Sequence, residues 1–297
     1  MADQKDKKET LNFDPSKSFV RSLCVGQIEE DILFPYPRMK QEEADMVRTL
    51  TDSLDTWLGK KENEFRKWDV AGELPPEIVQ EIRDMGLFGL IIPEEFGGLG
   101  LSTQAYSRCL QQMSGWDGSA TITAGAHSSI GMKGLLLFGN PEQKTKYLPK
   151  LATGEIIAAF CLTESGAGSD AASIKTKAVK DGNDWILNGE KLWITNGGIA
   201  DFFTVFAITD TEGGKMTAFI VTRDMMGVSS GPHEDKMGIR ASSTTTVRFD
   251  NTRVPPECVL GEVGKGFKVA MSILNNGRTG LGGGSVGAMK KLISLST

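Results

Sequence analysis

The hydrophobic period of this chain changes near Glu155 and changes back after Gly266, which limits the fold to a helical block, a β block and a further helical segment. Before Glu155, apolar residues recur every three or four positions. From Gln41 onward Val47, Leu50, Leu54, Trp57 and Leu58 fall at helical spacing with charged residues between them. A second helix opens at Pro75-Pro76-Glu77, carries Ile78, Ile82 and Met85 on one face and stops at Gly86, with proline in the first turn and glycine past the end. Residues 87–101 are apolar but broken by Pro93, Gly97, Gly98 and Gly100, which reads as a buried turn. Ser102 is placed to cap a helix running to Met113. A mostly apolar helix is expected over 121–138, and Asn140-Pro141-Glu142 starts another that exits near Gly154.

Beyond Glu155 the segments 185–187, 202–208, 215–222 and 244–249 are rich in β-branched and aromatic residues. Turn chemistry separates them: Asp181-Gly182-Asn183, Asn188-Gly189, Thr211-Glu212-Gly213-Gly214 and Gly231-Pro232. The pattern predicts an antiparallel β domain of about a hundred residues, a small barrel or two packed sheets, closing near Pro255-Pro256. After Gly264-Lys265-Gly266 the helical period returns, with Phe267, Ala270, Met271 and Leu274 on one face and apolar spacing to Leu295. A helix this apolar needs partners that the remaining residues do not supply. The expected division is therefore an N-terminal arm and extended lead-in at 1–40, a helical domain at 41–157, a β domain at 158–262, and at 263–297 the first helix of an incomplete C-terminal helical domain.

Composition narrows the function classes. With 39% apolar and 24% charged residues the chain is of ordinary globular type, and its 35 glycines follow no repeat, which excludes collagen-like and disordered readings. A net charge of -5 without a concentrated basic face argues against nucleic acid as partner. The four cysteines form no CxxC pair and there are two histidines, so zinc and disulfide frameworks are not expected and a reducing compartment is the simplest setting. His127, inside the apolar helix, reads as a satisfied core residue. Residues 1–10 mix lysines with acidic residues and lack an apolar core, which speaks against a secretory or transit peptide. No run approaches the ~18 apolar residues of a membrane helix.

The chemistry concentrates in two stretches. Residues 160–169 read Phe-Cys-Leu-Thr-Glu-Ser-Gly-Ala-Gly-Ser, followed by Asp170, and residues 193–197 read Trp-Ile-Thr-Asn-Gly. An apolar strand running into a hydroxyl-lined, glycine-rich corner can carry a flat cofactor. Thr163 offers a hydroxyl, while Gly166, Gly168 and Ser169 let the main chain approach a phosphate. Alone, Trp193 reads as core and Gly166/Gly168 as a plain turn; together the stretches favour a cofactor wall. Asp170 is expected to cap the following turn, Cys161 to serve packing because no histidine or base adjoins it, and Glu164 is given no role.

These residues resemble the flavin signatures of the acyl-CoA dehydrogenase family, with Ser165 where proline is common. The resemblance extends from Phe34-Pro35-Tyr36-Pro37 through Lys146-Tyr147-Leu148-Pro149-Lys150-Leu151 to Gly261-Glu262-Val263-Gly264 and Asn275-Asn276-Gly277-Arg278, and is greatest to the very-long-chain branch. It implies an α+β fold: a helical domain, a middle antiparallel β-barrel domain and the start of a C-terminal helical bundle. It also implies FAD as cofactor, bordered by Phe160, Cys161, Leu162 and Thr163, with Gly168 and Ser169 near the pyrophosphate, Trp193 and Ile194 packing on the flavin and Thr195 at its N5 edge. Ser169, Asn275, Asn276, Gly277 and Arg278 are implied substrate contacts, and no metal is implied. The implied activity is an oxidoreductase reaction, α,β-dehydrogenation of long-chain fatty acyl-CoA in β-oxidation, with electrons passing to an electron-transferring flavoprotein.

The family's glutamate base lies beyond Thr297 or, in a few members, at the position of Gly277, so no catalytic residue is expected within these 297 residues and the chain is expected to be inactive. The alternatives from other classes are a non-catalytic flavin- or acyl-CoA-binding module or interaction partner on the same scaffold, and an acyl-CoA oxidase. The resemblance implies a homo-oligomer, dimer or tetramer, and a cytoplasmic setting in bacteria or the mitochondrial matrix in eukaryotes.

Overall fold

The computed structural model describes residues 19–36, 38–209 and 213–297. The expected polar arm over 1–17, Pro37 of the Phe34-Pro35-Tyr36-Pro37 match, and Thr211-Glu212 of the third turn lie outside the described residues. The described residues fall into two compact units that divide between Gln41 and Glu42. The first contains α1 (Phe19–Cys24) and a short 3-10 turn (Glu30–Ile32), with the Ser22 hydroxyl donating to Glu29 at 3.1 Å.

The second unit begins with the helices that the period announced. α2 (Gln41–Gly59) buries Val47, Leu54 and Leu58. α3 (Phe65–Ala71), which the sequence reading did not foresee, buries Trp68 and ends on Gly72 in the left-handed region. α4 (Pro76–Asp84) buries Ile78 and Ile82. Residues 87–101 form the expected buried turn: Leu87, Phe88, Leu90 and Ile92 are fully enclosed, and a Cβ on Gly98 would lie 2.1 Å from the Ile92 carbonyl oxygen. The Ser102 hydroxyl accepts from the Ala105 amide and caps α5 (Thr103–Ser114).

The single helix expected over 121–138 is corrected. It begins earlier, at α6 (Gly118–Ala126) with Asp117 accepting from the Ala120 amide at 2.7 Å, widens into a π-helical turn at His127–Gly131, and resumes as α7 (Lys133–Phe138). The cause is tertiary. His127 Nδ1 accepts from the Ala158 amide at 3.0 Å, and a Cβ on Gly131 would sit 2.7 Å from the Ala158 carbonyl oxygen, so the helix opens where a strand presses on it. α8 (Pro141–Thr153) carries a full capping box between Asn140 and Gln143 and leaves through Gly154.

The β block is β1 (Ala158–Cys161), β2 (Lys177–Asp181), β3 (Asp184–Thr195), β4 (Phe202–Thr209), β5 (Met216–Thr222), β6 (Val228–His233), β7 (Thr244–Val254) and β8 (Val259–Leu260). The ladder runs β6-β7-β3-β2-β4-β5-β8, with β1 on β4. The expected barrel thus takes the form of one eight-stranded sheet whose path has no pairing between β6 and β8 among the described residues. The antiparallel expectation is corrected at two places, since β1 and β2 both pair parallel to β4, reached by crossovers long enough for parallel pairing.

Two expected turns are instead strand irregularities. Asn188-Gly189 lies inside β3 at a register slip against β7, and Gly231-Pro232 lies inside β6. The missing proline amide is tolerated there because β6 is the end of the ladder and slips register between Ser230 and His233.

α9 (Gly266–Ser296) closes the unit. Val269, Ala270 and Ile273 are buried, and Gly280 and Gly287 face α5 so closely that a Cβ on Gly287 would lie 1.9 Å from the Gln111 carbonyl oxygen. No helix among the described residues is long and apolar enough to cross a membrane.

Candidate functional site

The site follows from an interruption in one line of backbone. β1 pairs with 202–205 of β4, and the start of β2 pairs with Ile208 and Thr209 of the same strand. The two therefore lie end to end along β4, and between them residues 162–176 leave the sheet. That excursion is the glycine-rich corner. It faces the end of β3 and one side of α9 across a cavity of about 510 Å³.

The corner contributes Phe160, Leu162, Thr163, Gly168 and Ser169 to the lining. A Cβ on Gly166 or Gly168 would meet nothing within 4 Å, so both glycines leave room that a side chain would otherwise fill. β3 contributes Trp193, Ile194 and Thr195. The β3/β7 register slips between Lys191 and Ile194, and at this bulge Trp193 takes φ 53 and stands 61% exposed. The next turn is fixed by Asn196, fully buried at φ 64, whose Nδ2 donates to the carbonyls of Thr123 at 3.0 Å and Ala158 at 3.4 Å. α9 supplies Arg278 and Phe267, Met271 and Leu274, three of the four residues expected on one face; the fourth, Ala270, is fully buried outside the lining.

Several expected site residues stand elsewhere. Cys161 is fully buried on the opposite side of β1 from Phe160 and is absent from the cavity lining, and burial pushes its thiol up to about 12, so it is inert as a nucleophile. Asn275 and Asn276 are exposed and outside the lining; Asn275 accepts from Arg278 at 2.8 Å, and Asn276 donates to the Ser272 carbonyl. Gly277 is buried against the π-helical turn, where a Cβ would lie 2.8 Å from Ile130 Cγ2. Helical geometry explains the split: four consecutive residues of a helix cannot all face one cavity. Asp170 lines the cavity and stands at the N-cap position of the short 3-10 turn Ala171–Ser173, as expected, but its side chain accepts from the Ser173 hydroxyl rather than from a backbone amide.

Glu164 and Lys191 had no assigned role and prove central to the corner. Glu164 is 7% exposed and Lys191 fully buried; they pair at 2.7 Å. Glu164 also accepts from the amides of Lys175 and Thr176 and from the Thr176 hydroxyl at 2.6 Å, while Lys191 donates to the Leu162 carbonyl at 3.2 Å. Burial alone would raise the Glu164 pKa, but the hydrogen bonds from Lys191 and Thr176 outweigh it and hold the carboxylate below its ordinary range. His127 is the satisfied core residue the sequence implied: Nε2 donates to the Leu151 carbonyl at 3.1 Å, Nδ1 accepts from Ala158, and burial lowers its pKa to about 3.

Comparison with known proteins places this geometry. The model described as "Acyl-CoA dehydrogenase, N-terminal domain" matches residues 42–155, and that described as "Acyl-CoA dehydrogenase, middle domain" matches 159–252. The very long-chain specific acyl-CoA dehydrogenase of Homo sapiens, a mitochondrial protein, is 48% identical over 289 residues, covering 94% of this chain and 44% of the relative. The Macaca fascicularis protein of the same name is 49% identical over 289 residues, with the same coverage. The chain thus spans under half the length of these two relatives.

Among solved structures, butyryl-CoA dehydrogenase from Megasphaera elsdenii superposes with a TM-score of 0.80 at 34% identity, covering 87% of this chain and 68% of that one. An acyl-CoA dehydrogenase from Bacillus anthracis complexed with FAD gives 0.76 at 42% identity, covering 89% and 44%. Both blocks, their order and the start of the following helix agree with these relatives, and the chain belongs to the acyl-CoA dehydrogenase family.

Proposed function

We propose that this chain forms the flavin seat and part of the acyl channel of an FAD-dependent enzyme that removes the α- and β-hydrogens of a long-chain fatty acyl-CoA. The observation that carries this reading is the convergence of 160–169 and 193–195, widely separated in sequence, on one cavity lined by two threonine hydroxyls, an open glycine and an exposed tryptophan. These residues fit a flavin: Trp193 presents an indole face to a planar ring, Thr163 and Thr195 offer hydroxyls to its polar edge, and the backbone at Gly168 and Ser169 has space for a pyrophosphate. Bound FAD would supply acceptance of the β-hydrogen as hydride.

The chain's own residues bind, orient and exclude water. Phe267, Met271 and Leu274 make the α9 side of the cavity apolar, which suits an acyl group. Arg278, permanently charged, suits the anionic CoA portion, with Ser169 on the facing corner. Proton removal from the α-carbon needs a carboxylate. Among the described residues the cavity is lined by one, Asp170, which the Ser173 hydroxyl engages on the corner side, and Gly277 beside Arg278 has no side chain. The 297-residue polypeptide alone is therefore expected to bind FAD without dehydrogenating acyl-CoA. The same observation favours a second reading, a non-catalytic flavin- or acyl-CoA-binding protein on this scaffold.

Palmitoyl-CoA-dependent dye reduction by the purified chain tests the first statement, and clear turnover would contradict it. Oxygen-dependent peroxide formation would point to an oxidase. We further propose the division 41–157, 158–262 and 263–297, an electron-transferring flavoprotein as electron acceptor, a homo-oligomeric assembly, and the mitochondrial matrix or a bacterial cytoplasm as setting.

A further inference from the structure

We propose that Glu164 and Lys191 are positioning residues that set the two halves of the flavin seat in register; this rests on the flavin reading above. The reason lies in how the seat is built. Its two halves, the excursion 162–176 and the bulged end of β3, are not joined by a regular ladder: the one backbone hydrogen bond directly bridging them is from the Leu192 amide to the Thr163 carbonyl at 2.9 Å. The alignment that a sheet would normally supply is taken over by side chains.

Glu164 follows Thr163 directly, and its carboxylate gathers the amides of Lys175 and Thr176 and the Thr176 hydroxyl, so one group ties the beginning of the excursion to its end. Lys191 lies two residues before Trp193. Its ammonium reaches both Glu164 and the Leu162 carbonyl, which flanks Thr163 on the other side. Thr163 is thus held between two groups fastened to the strand that presents Trp193 and Thr195. Space for this arrangement is made by Gly189, where a Cβ would lie 2.4 Å from the Thr176 hydroxyl oxygen.

Neither charged group lines the cavity, and neither is free to reach a ligand. A buried ion pair is weak evidence for stability as such but well suited to selecting one arrangement among several. Their part is therefore indirect, through Thr163 on one side and Trp193 on the other.

The test compares the wild-type chain with Glu164→Gln and Lys191→Met, the conservative Lys191→Arg, and a control of matched thermal midpoint destabilised at a distance, such as Lys61→Met with Trp57→Phe, the two side chains that donate to the Glu81 carboxylate of α4. Two readouts are used: amide hydrogen exchange without ligand, and FAD binding followed by tryptophan quenching and the flavin absorption band. The proposal expects exchange at Leu192, Lys175 and Thr176 in Glu164→Gln and Lys191→Met to rise at least tenfold more than in the control. It also expects FAD affinity to fall at least tenfold with a shifted flavin band, and partial recovery in Lys191→Arg. Exchange no faster at those amides than in the control, or unchanged FAD affinity and spectrum, would overturn it. If the wild-type chain binds no FAD, the flavin reading fails by itself, and the exchange measurement still decides whether the pair sets the register.

Discussion

Trp193 stands at φ 53, where a bulky L-residue is held only if its surroundings over-determine it; such a conformation costs on the order of 1–3 kcal/mol. The side chain is 61% exposed, so little core packing offsets that cost, and its place in the cavity lining is what the proposed flavin contact rests on. Trp193→Ala is expected to leave unfolding free energy within about 1 kcal/mol of wild type while lowering FAD affinity at least tenfold, read by urea titration and by flavin binding. A loss of several kcal/mol would show a packing role instead.

His127 shows the opposite case. Its two ring nitrogens serve one backbone amide and one carbonyl, and burial keeps it neutral to about pH 3. Its folded pKa lies below the ordinary value of 6.5, so the unfolded chain binds the proton more tightly between those pH values. The stability from the neutral ring is full above about pH 6.5 and is lost as pH falls towards 3. His127→Gln is expected to cost about 2–4 kcal/mol at pH 7 and to flatten the fall in urea midpoint between pH 7 and pH 4. An unchanged slope would place the acid sensitivity elsewhere.

At the scale of elements, what the sequence made legible was local chemistry and what it hid was distant contact. α5 and α8 were readable because Ser102 and Asn140 cap their own helices within three residues. The break at His127 was not, because its cause is Ala158, 31 positions away. β6 was obscured by Gly231-Pro232, turn chemistry that an edge strand can absorb, and β2 by a burial pattern in which Ala178 alone is enclosed. The role of Glu164 was hidden for the same reason as that of His127, since Lys191 lies 27 residues further on.

α9 gives a test of element packing. Gly287→Leu would drive a side chain into the Gln111 carbonyl and is expected to cost upwards of about 2 kcal/mol. Gly282, exposed with open space around its Cβ position, is expected to gain about 0.5–1 kcal/mol on conversion to alanine. Equal effects in a urea titration would contradict the close α5–α9 approach.

For the unit from Glu42 to Thr297 as a whole, the helical block, the sheet and α9 meet where the line of β1 and β2 along β4 is interrupted, and the excursion, the β3 bulge and α9 enclose the cavity. The two segments proposed to seat the flavin could be picked out in the sequence because each carries its own glycines and hydroxyls. Their meeting depends on the path of β4, a strand that carries none of the site residues. The most direct test is equilibrium titration of the purified chain with FAD, wild type against Gly168→Val, monitored by tryptophan fluorescence and the visible flavin spectrum. We predict one FAD per chain with a perturbed absorption band for the wild type, and loss of binding in a folded Gly168→Val protein, whose branched side chain would occupy the corner. FAD binding that is absent in the wild type, or indifferent to Gly168→Val, would contradict the assignment of this cavity.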